Sequence, residues 1–137
     1  MLYALHVQLN KAARLVTGLS RFTSTKRLMD TCGWLSAKQL VMYHTTAMVH
    51  KTVLTRKPYY MHGRLNIEHA YRTRQHTTGC IRFDQSYNYK SDLPRNSFRC
   101  RGTTYYNAIP ADIRAAMTMS TFKSRLKKWV RKNVSID

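Results

Sequence analysis

Six cations crowd the end of the chain. Lys123, Arg125, Lys127, Lys128, Arg131 and Lys132 follow one another with no acid among them. At helical spacing Lys123, Lys127 and Arg131 line one flank of an element, and Arg125, Lys128 and Lys132 line the other. Between the two rails run Phe122, Leu126, Trp129 and Val130, spaced i, i+4, i+7 and i+8, the pattern of a helix that buries one stripe. A packed helix carrying cations on its back suits phosphates, because each cation that neutralises a phosphate releases condensed counterions. No Glu is interleaved to absorb the charge in i, i+4 pairs. An anionic membrane surface is the competing partner for such a pattern.

The middle of the chain mixes bases and rings. Arg72, Arg74, Arg82, Lys90, Arg95, Arg99 and Arg101 alternate with Tyr71, Phe83, Tyr87, Tyr89, Phe98, Tyr105 and Tyr106. Arg can clamp phosphates while rings stack exposed bases, which holds single strands without strict sequence reading. The competing reading puts most of these rings in the core and leaves only the Arg in water. With Lys11 and Arg14 near the start, the residues expected to bind nucleic acid are Lys11, Arg14, Arg72, Arg74, Arg82, Arg99, Arg101 and the six terminal cations.

Other chemistry finds less support. The acids Asp30, Glu68, Asp84, Asp92, Asp112 and Asp137 are dispersed, whereas two-metal phosphoryl transfer needs carboxylates clustered around the ions. No phosphate loop, dinucleotide glycine motif or nucleophile elbow occurs. Cys32 with His44 or His50 would be the one thiol–imidazole pair, and nothing accompanies it to orient the base. His44 and His50 read instead as packed or hydrogen-bonded side chains. Cys80 and Cys100 with His69 or His76 form the only zinc candidate, without the close ligand spacing of a metal motif. We expect a non-catalytic protein with no cofactor and no bound metal.

The whole chain points the same way. It has 137 residues, with 24 Lys and Arg against 6 Asp and Glu, a formal net charge of +18. Six acids cannot quench that charge internally, so RNA, DNA or both are the expected partners. Three cysteines far apart do not make a secreted disulfide framework, so a reducing nuclear or cytoplasmic setting is expected. Arg14, Arg21 and Arg27 precede the first acid, Asp30, which leaves a mitochondrial presequence as an alternative. No apolar run approaches the ~20 residues a spanning helix needs.

The elements that must position these groups are mainly helical. Residues 1–57 read as three helices. The first buries Leu2, Leu5, Leu9, Ala12, Ala13 and Val16 with Lys11 and Arg14 on its other side, and Gly18 stops it. The second is capped by Ser24 or Thr25, carries Leu28 and Met29, and ends at Gly33. The third opens on a Ser36–Gln39 capping box, with Leu35 stapled onto Leu40. Its wide apolar face holds Ala37, Leu40, Val41, Tyr43, Ala47, Met48 and Leu54, and Pro58 forces the exit. Residues 58–101 form a basic, aromatic, loop-rich part in which Cys80–Phe83 and Phe98–Arg101 are expected to pair as a short hairpin. Residues 102–137 return to helix: one from Gly102 to Ala108, one opened by Pro110, and a last one capped by Ser120. The three parts make one domain, or a fragment of one.

Four stretches in order carry a resemblance. They are Asn10-Lys11-Ala12-Ala13-Arg14 with Gly18, Gly33-Trp34-Leu35-Ser36, Tyr106-Asn107-Ala108-Ile109-Pro110 and Phe122-Lys123-Ser124-Arg125-Leu126-Lys127. Together they resemble the C-terminal region of reverse transcriptases from LINE-type non-LTR retrotransposons. The likeness runs from about residue 8 to about residue 132. Tyr106 stands where that family commonly has Trp. The family's polymerase palm, with its Tyr-x-Asp-Asp turn, and its cysteine knuckle have no counterpart here, so no catalytic role carries over. The resemblance implies a part in gripping template RNA or target DNA beside the polymerase core of a longer element. It equally allows a truncated remnant with no activity of its own.

Overall fold

The computed structural model describes residues 2–65 and 97–135. Among them are seven helices and no strand: α1 (Leu2–Thr17), α2 (Thr25–Cys32), α3 (Ala37–Thr55), α4 (Tyr59–Arg64), α5 (Phe98–Ala108), α6 (Ala111–Arg114) and α7 (Met119–Asn133). The mainly helical class is as expected. One compact unit takes Met1–Tyr43 with Lys128–Asp137, and the other takes His44–Lys127. These units run across the division into 1–57, 58–101 and 102–137, because α3 and α7 each supply residues to both.

In the first unit Ala13, Leu28 and Met29 form the core, flanked by Leu9, Leu19, Cys32 and Trp34. Local signals place its elements. The Ser24 hydroxyl caps α2 by accepting from the Arg27 amide at 3.4 Å. Gly33 ends α2 at φ 65°, a left-handed conformation that disfavours a Cβ, and lets the Trp34 amide reach the Met29 carbonyl at 3.0 Å. The capping box forms as expected: the Ser36 amide donates to Gln39 Oε1 at 3.0 Å, and the Gln39 amide donates to Ser36 Oγ at 3.4 Å. The same Gln39 side chain donates its Nε2–H to the Val134 carbonyl at 2.9 Å, tying the end of the chain to the start of α3.

The face that α1 buries differs from the expected one. Asn10 and Ala13 are buried, whereas Leu5, Ala12 and Val16 are exposed. Ala13 sits in the cluster with Leu28 and Met29, where its small side chain admits α2 closely. The helix is thereby rolled away from its most apolar side. Arg14, expected opposite the packed face, is half-buried with its Nε–H enclosed and without a hydrogen-bond partner.

In the second unit α3 supplies the buried Thr46, Val49, His50 and Thr52, while Met48 and Leu54, expected in its apolar face, are exposed. Tyr106, Ile109, Ile113, Ala116, Phe122 and Leu126 are buried as well. The Phe98–Arg101 piece expected as a strand is the first turn of α5. The Ser97 hydroxyl accepts from the Cys100 amide at 3.4 Å, and the Arg101 amide donates to the Ser97 carbonyl at 3.0 Å, so the cap starts the helix four residues before Gly102. The other half of that hairpin, Cys80–Phe83, lies outside the described residues. Thr118, not Ser120, caps α7, its hydroxyl accepting from the Thr121 amide at 3.3 Å.

Gly102 lets α5 approach α3. A Cβ there would stand 2.9 Å from Val49 Cγ2, and Val49 is fully buried and stiff about χ1. Gly102→Ala is therefore expected to destabilise the protein by about 1–3 kcal/mol through overpacking, partly offset by Ala's better helix propensity. In the Val49→Ala background the same substitution should be neutral or stabilising, which a double-mutant cycle by urea unfolding reads directly.

Candidate nucleic-acid interface

On α7 the apolar stripe and the cationic back separate cleanly. Phe122, Leu126 and Val130 are fully buried and Trp129 half-buried. Lys123, Arg125, Lys127, Lys128, Arg131 and Lys132 are all exposed. Two of the six are held by the protein's own backbone: an Arg125 Nη donates to the Asp112 carbonyl at 3.3 Å, and an Arg131 Nη donates to the Gly33 carbonyl. A guanidinium has five donors, so each retains others for a phosphate. Only Asp30 and Asp112 are acidic among the described residues, and both are exposed. The outer side of α7 is thus a continuous cationic strip on a single helix.

The other expected binding residues are placed unevenly. Lys11 is exposed on α1, but Arg14 is turned inward. Arg99 and Arg101 are half-buried on α5. Arg72, Arg74 and Arg82, and the rings Tyr71, Phe83, Tyr87 and Tyr89, lie outside the described residues. Of the remaining rings, Phe98 and Tyr105 are half-buried and Tyr106 is buried, so Tyr106 is not free to stack on a base. Among the described residues the more open rings sit elsewhere, Tyr3 on α1 among them at 79% exposed. Tyr59 is 88% exposed and Tyr60 67%, at the start of α4. Phe22 is 83% exposed, with the Arg21 guanidinium 4.8 Å from its ring centroid. The adjacent tyrosines after Pro58 were a signal for this, since the first turn of so short a helix cannot bury both.

His50 explains why Tyr106 is occupied. Its Nε2 lies 3.1 Å from the Ala116 carbonyl, which can only accept, so that nitrogen carries the proton. In the neutral ring Nδ1 accepts from the Tyr106 hydroxyl at 3.1 Å. The imidazole also stacks on Phe122, with centroids 3.6 Å apart and planes 10° from parallel. Burial pulls the His50 pKa below its ordinary 6.5, against a smaller opposing pull from the Ala116 bond. The folded state therefore binds its proton less readily than the unfolded chain. Stability is full above pH 6.5 and falls as pH drops below it, by at most about 1.4 kcal/mol per pH unit for one proton. Urea midpoints measured from pH 7.5 down to 5 should show this loss. His50→Gln, whatever its own stability, should show less pH dependence than the wild type.

Both imidazole nitrogens being engaged, His50 is not poised to activate a thiol. Cys32, its sequence-level partner, points its thiol at the Ala13 carbonyl, 3.7 Å away. Among the described residues no cluster of three or more ligand-type side chains could hold a metal. Cys100 is a half-buried free thiol, and Cys80, His69 and His76 lie outside the described residues. Among the described residues, no helix is long and apolar enough to cross a membrane.

The residues that carry the four-part resemblance mostly pack and cap. Asn10, Ala13, Leu35, Ser36, Tyr106, Ile109, Phe122 and Leu126 are all buried. Comparison with family models, with curated proteins and with solved structures gave no match.

Proposed function

We propose that this chain is a non-catalytic nucleic-acid-binding module, akin to the C-terminal region of a LINE-type reverse transcriptase, that grips the phosphates of RNA or DNA. The observation that carries the reading is α7: Phe122, Leu126 and Val130 of its apolar stripe are fully buried while all six of its cations are exposed. A net charge of +18 adds long-range attraction for any polyanion. Binding of this kind is sequence-independent and weak at physiological salt, with Kd of about 10⁻⁴–10⁻⁶ M. Its signature is a linear fall of log affinity against log salt, measured by fluorescence anisotropy on single- and double-stranded RNA and DNA of mixed sequence. Affinity that barely moves between low and physiological salt would remove the electrostatic basis of the reading.

A second reading makes the chain a packing segment of a longer retroelement polymerase with no activity of its own. The exposed Leu5, Leu15 and Val16 of α1 favour it, since a helix in a self-sufficient domain seldom leaves so many large apolar groups in water. A sharp, cooperative thermal transition of the isolated chain at moderate salt would count against it.

A further inference from the structure

The second unit contains a cavity of about 370 Å³ between α4 and the start of α5, lined by Tyr60, Met61, Leu65, Ser97, Phe98 and Arg99. Its size falls at the lower end of the range of about 300–1,000 Å³ typical of small-molecule sites. Two aromatic side chains, a thioether and an isobutyl group make it largely apolar, and Arg99 is the one cation among the described lining residues. We propose that this cavity accepts an unpaired nucleobase, stacked on Tyr60 and Phe98, while the phosphates of the same strand are drawn by the chain's excess of positive charge. The proposal rests on the nucleic-acid reading and adds to it a preference for single strands, since a base in a duplex already has both faces covered.

The walls of the cavity are built before any ligand arrives. The Met61 sulfur accepts the Thr52 hydroxyl at 3.3 Å, and Thr52 is itself fully buried on α3. Leu65, which also lines it, is 1% exposed. The Phe98 ring packs beside Gly102, 3.7 Å from where a Cβ would stand. Ser97 is held as the cap of α5. Tyr60 differs from these, being two-thirds exposed, so its ring is available to a visiting base. The charge of the chain selects the occupant: none of the described lining residues is acidic, and +18 recruits a base that comes attached to phosphates.

The test is equilibrium binding of the full chain to a short labelled oligothymidylate and to an abasic strand of equal length carrying the same phosphates. The base-bearing strand should bind roughly tenfold tighter, the scale of one stacked base. Tyr60→Ala should erase most of that difference without changing the salt slope, and Tyr60→Phe, which keeps the ring, should preserve it. Phe98→Leu supplies a second, independent variant, and thermal melts confirm that each variant folds. Equal binding of the two strands by the wild type would overturn the pocket and leave the phosphate grip standing. A difference that survives both Tyr60→Ala and Phe98→Leu would also overturn it, because the stacking would lie elsewhere. Failure of both strands to bind at low salt would overturn the pocket and the nucleic-acid reading together.

Discussion

A variant with Lys123, Lys127, Lys128 and Lys132 all replaced by Gln is expected to show a markedly flatter salt dependence of nucleic-acid binding. Each phosphate contact adds about 0.9 to the slope of log affinity on log salt for duplex DNA and about 0.7 for a single strand. Four contacts fewer should flatten the slope by up to about 3.6 for a duplex, so a rise from 50 to 200 mM salt would weaken the variant roughly a hundredfold less than the wild type. Lysines are the right choice because they are exposed, whereas Arg125 and Arg131 also donate to the Asp112 and Gly33 carbonyls. Replacing those arginines would mix lost binding with lost structure. The lysine variant should unfold within about 0.5 kcal/mol of the wild type, as exposed substitutions generally do. An unchanged slope in a well-folded variant would mean that α7 does not touch the phosphates.

Phe122→Ala is expected to cost about 3–5 kcal/mol, a large share of the ~5–15 kcal/mol that holds a domain together. Phe122 is fully buried, and its ring lies flat on His50, so truncation leaves a void beside a neutral imidazole held by two hydrogen bonds. Water entering that void would favour protonated His50, so the pH dependence should weaken along with the stability. Phe122→Leu keeps most of the volume and should cost less. Urea unfolding at pH 7.5 decides this: a Phe122→Ala midpoint equal to that of the wild type would mean that the stack contributes nothing.

Local chemistry was legible where it acts within one turn of helix. Ser24, Gly33, the Ser36–Gln39 box and the exit after Thr55 depend on hydrogen bonds and φ preferences between residues at most five apart. The α7 stripe was legible for a related reason, as its period of 3.6 is written in consecutive residues. The rolled α1 was not. Periodicity tells which residues share a face, but Leu5 and Val16 lie next to Ala13 on the wheel, and only the position of α2 selects among them. Phe98–Arg101 reads equally well as strand or helix, and the Ser97 cap with the close fit of Gly102 on Val49 settles it.

The sequence alone determined the helical class, the ends of α2 and the start of α3, the excess of positive charge and its display along the last helix, because each follows from residue type and short spacing. Folding alone brought His50 to Tyr106 across 56 residues and to Ala116 across 66, and joined Gln39 to Val134 across 95. It also turned Arg14 inward and left Tyr60 and Phe98 flanking a cavity. Such pairings depend on which distant surfaces bury the most apolar area together, and nothing in a linear pattern names the partner.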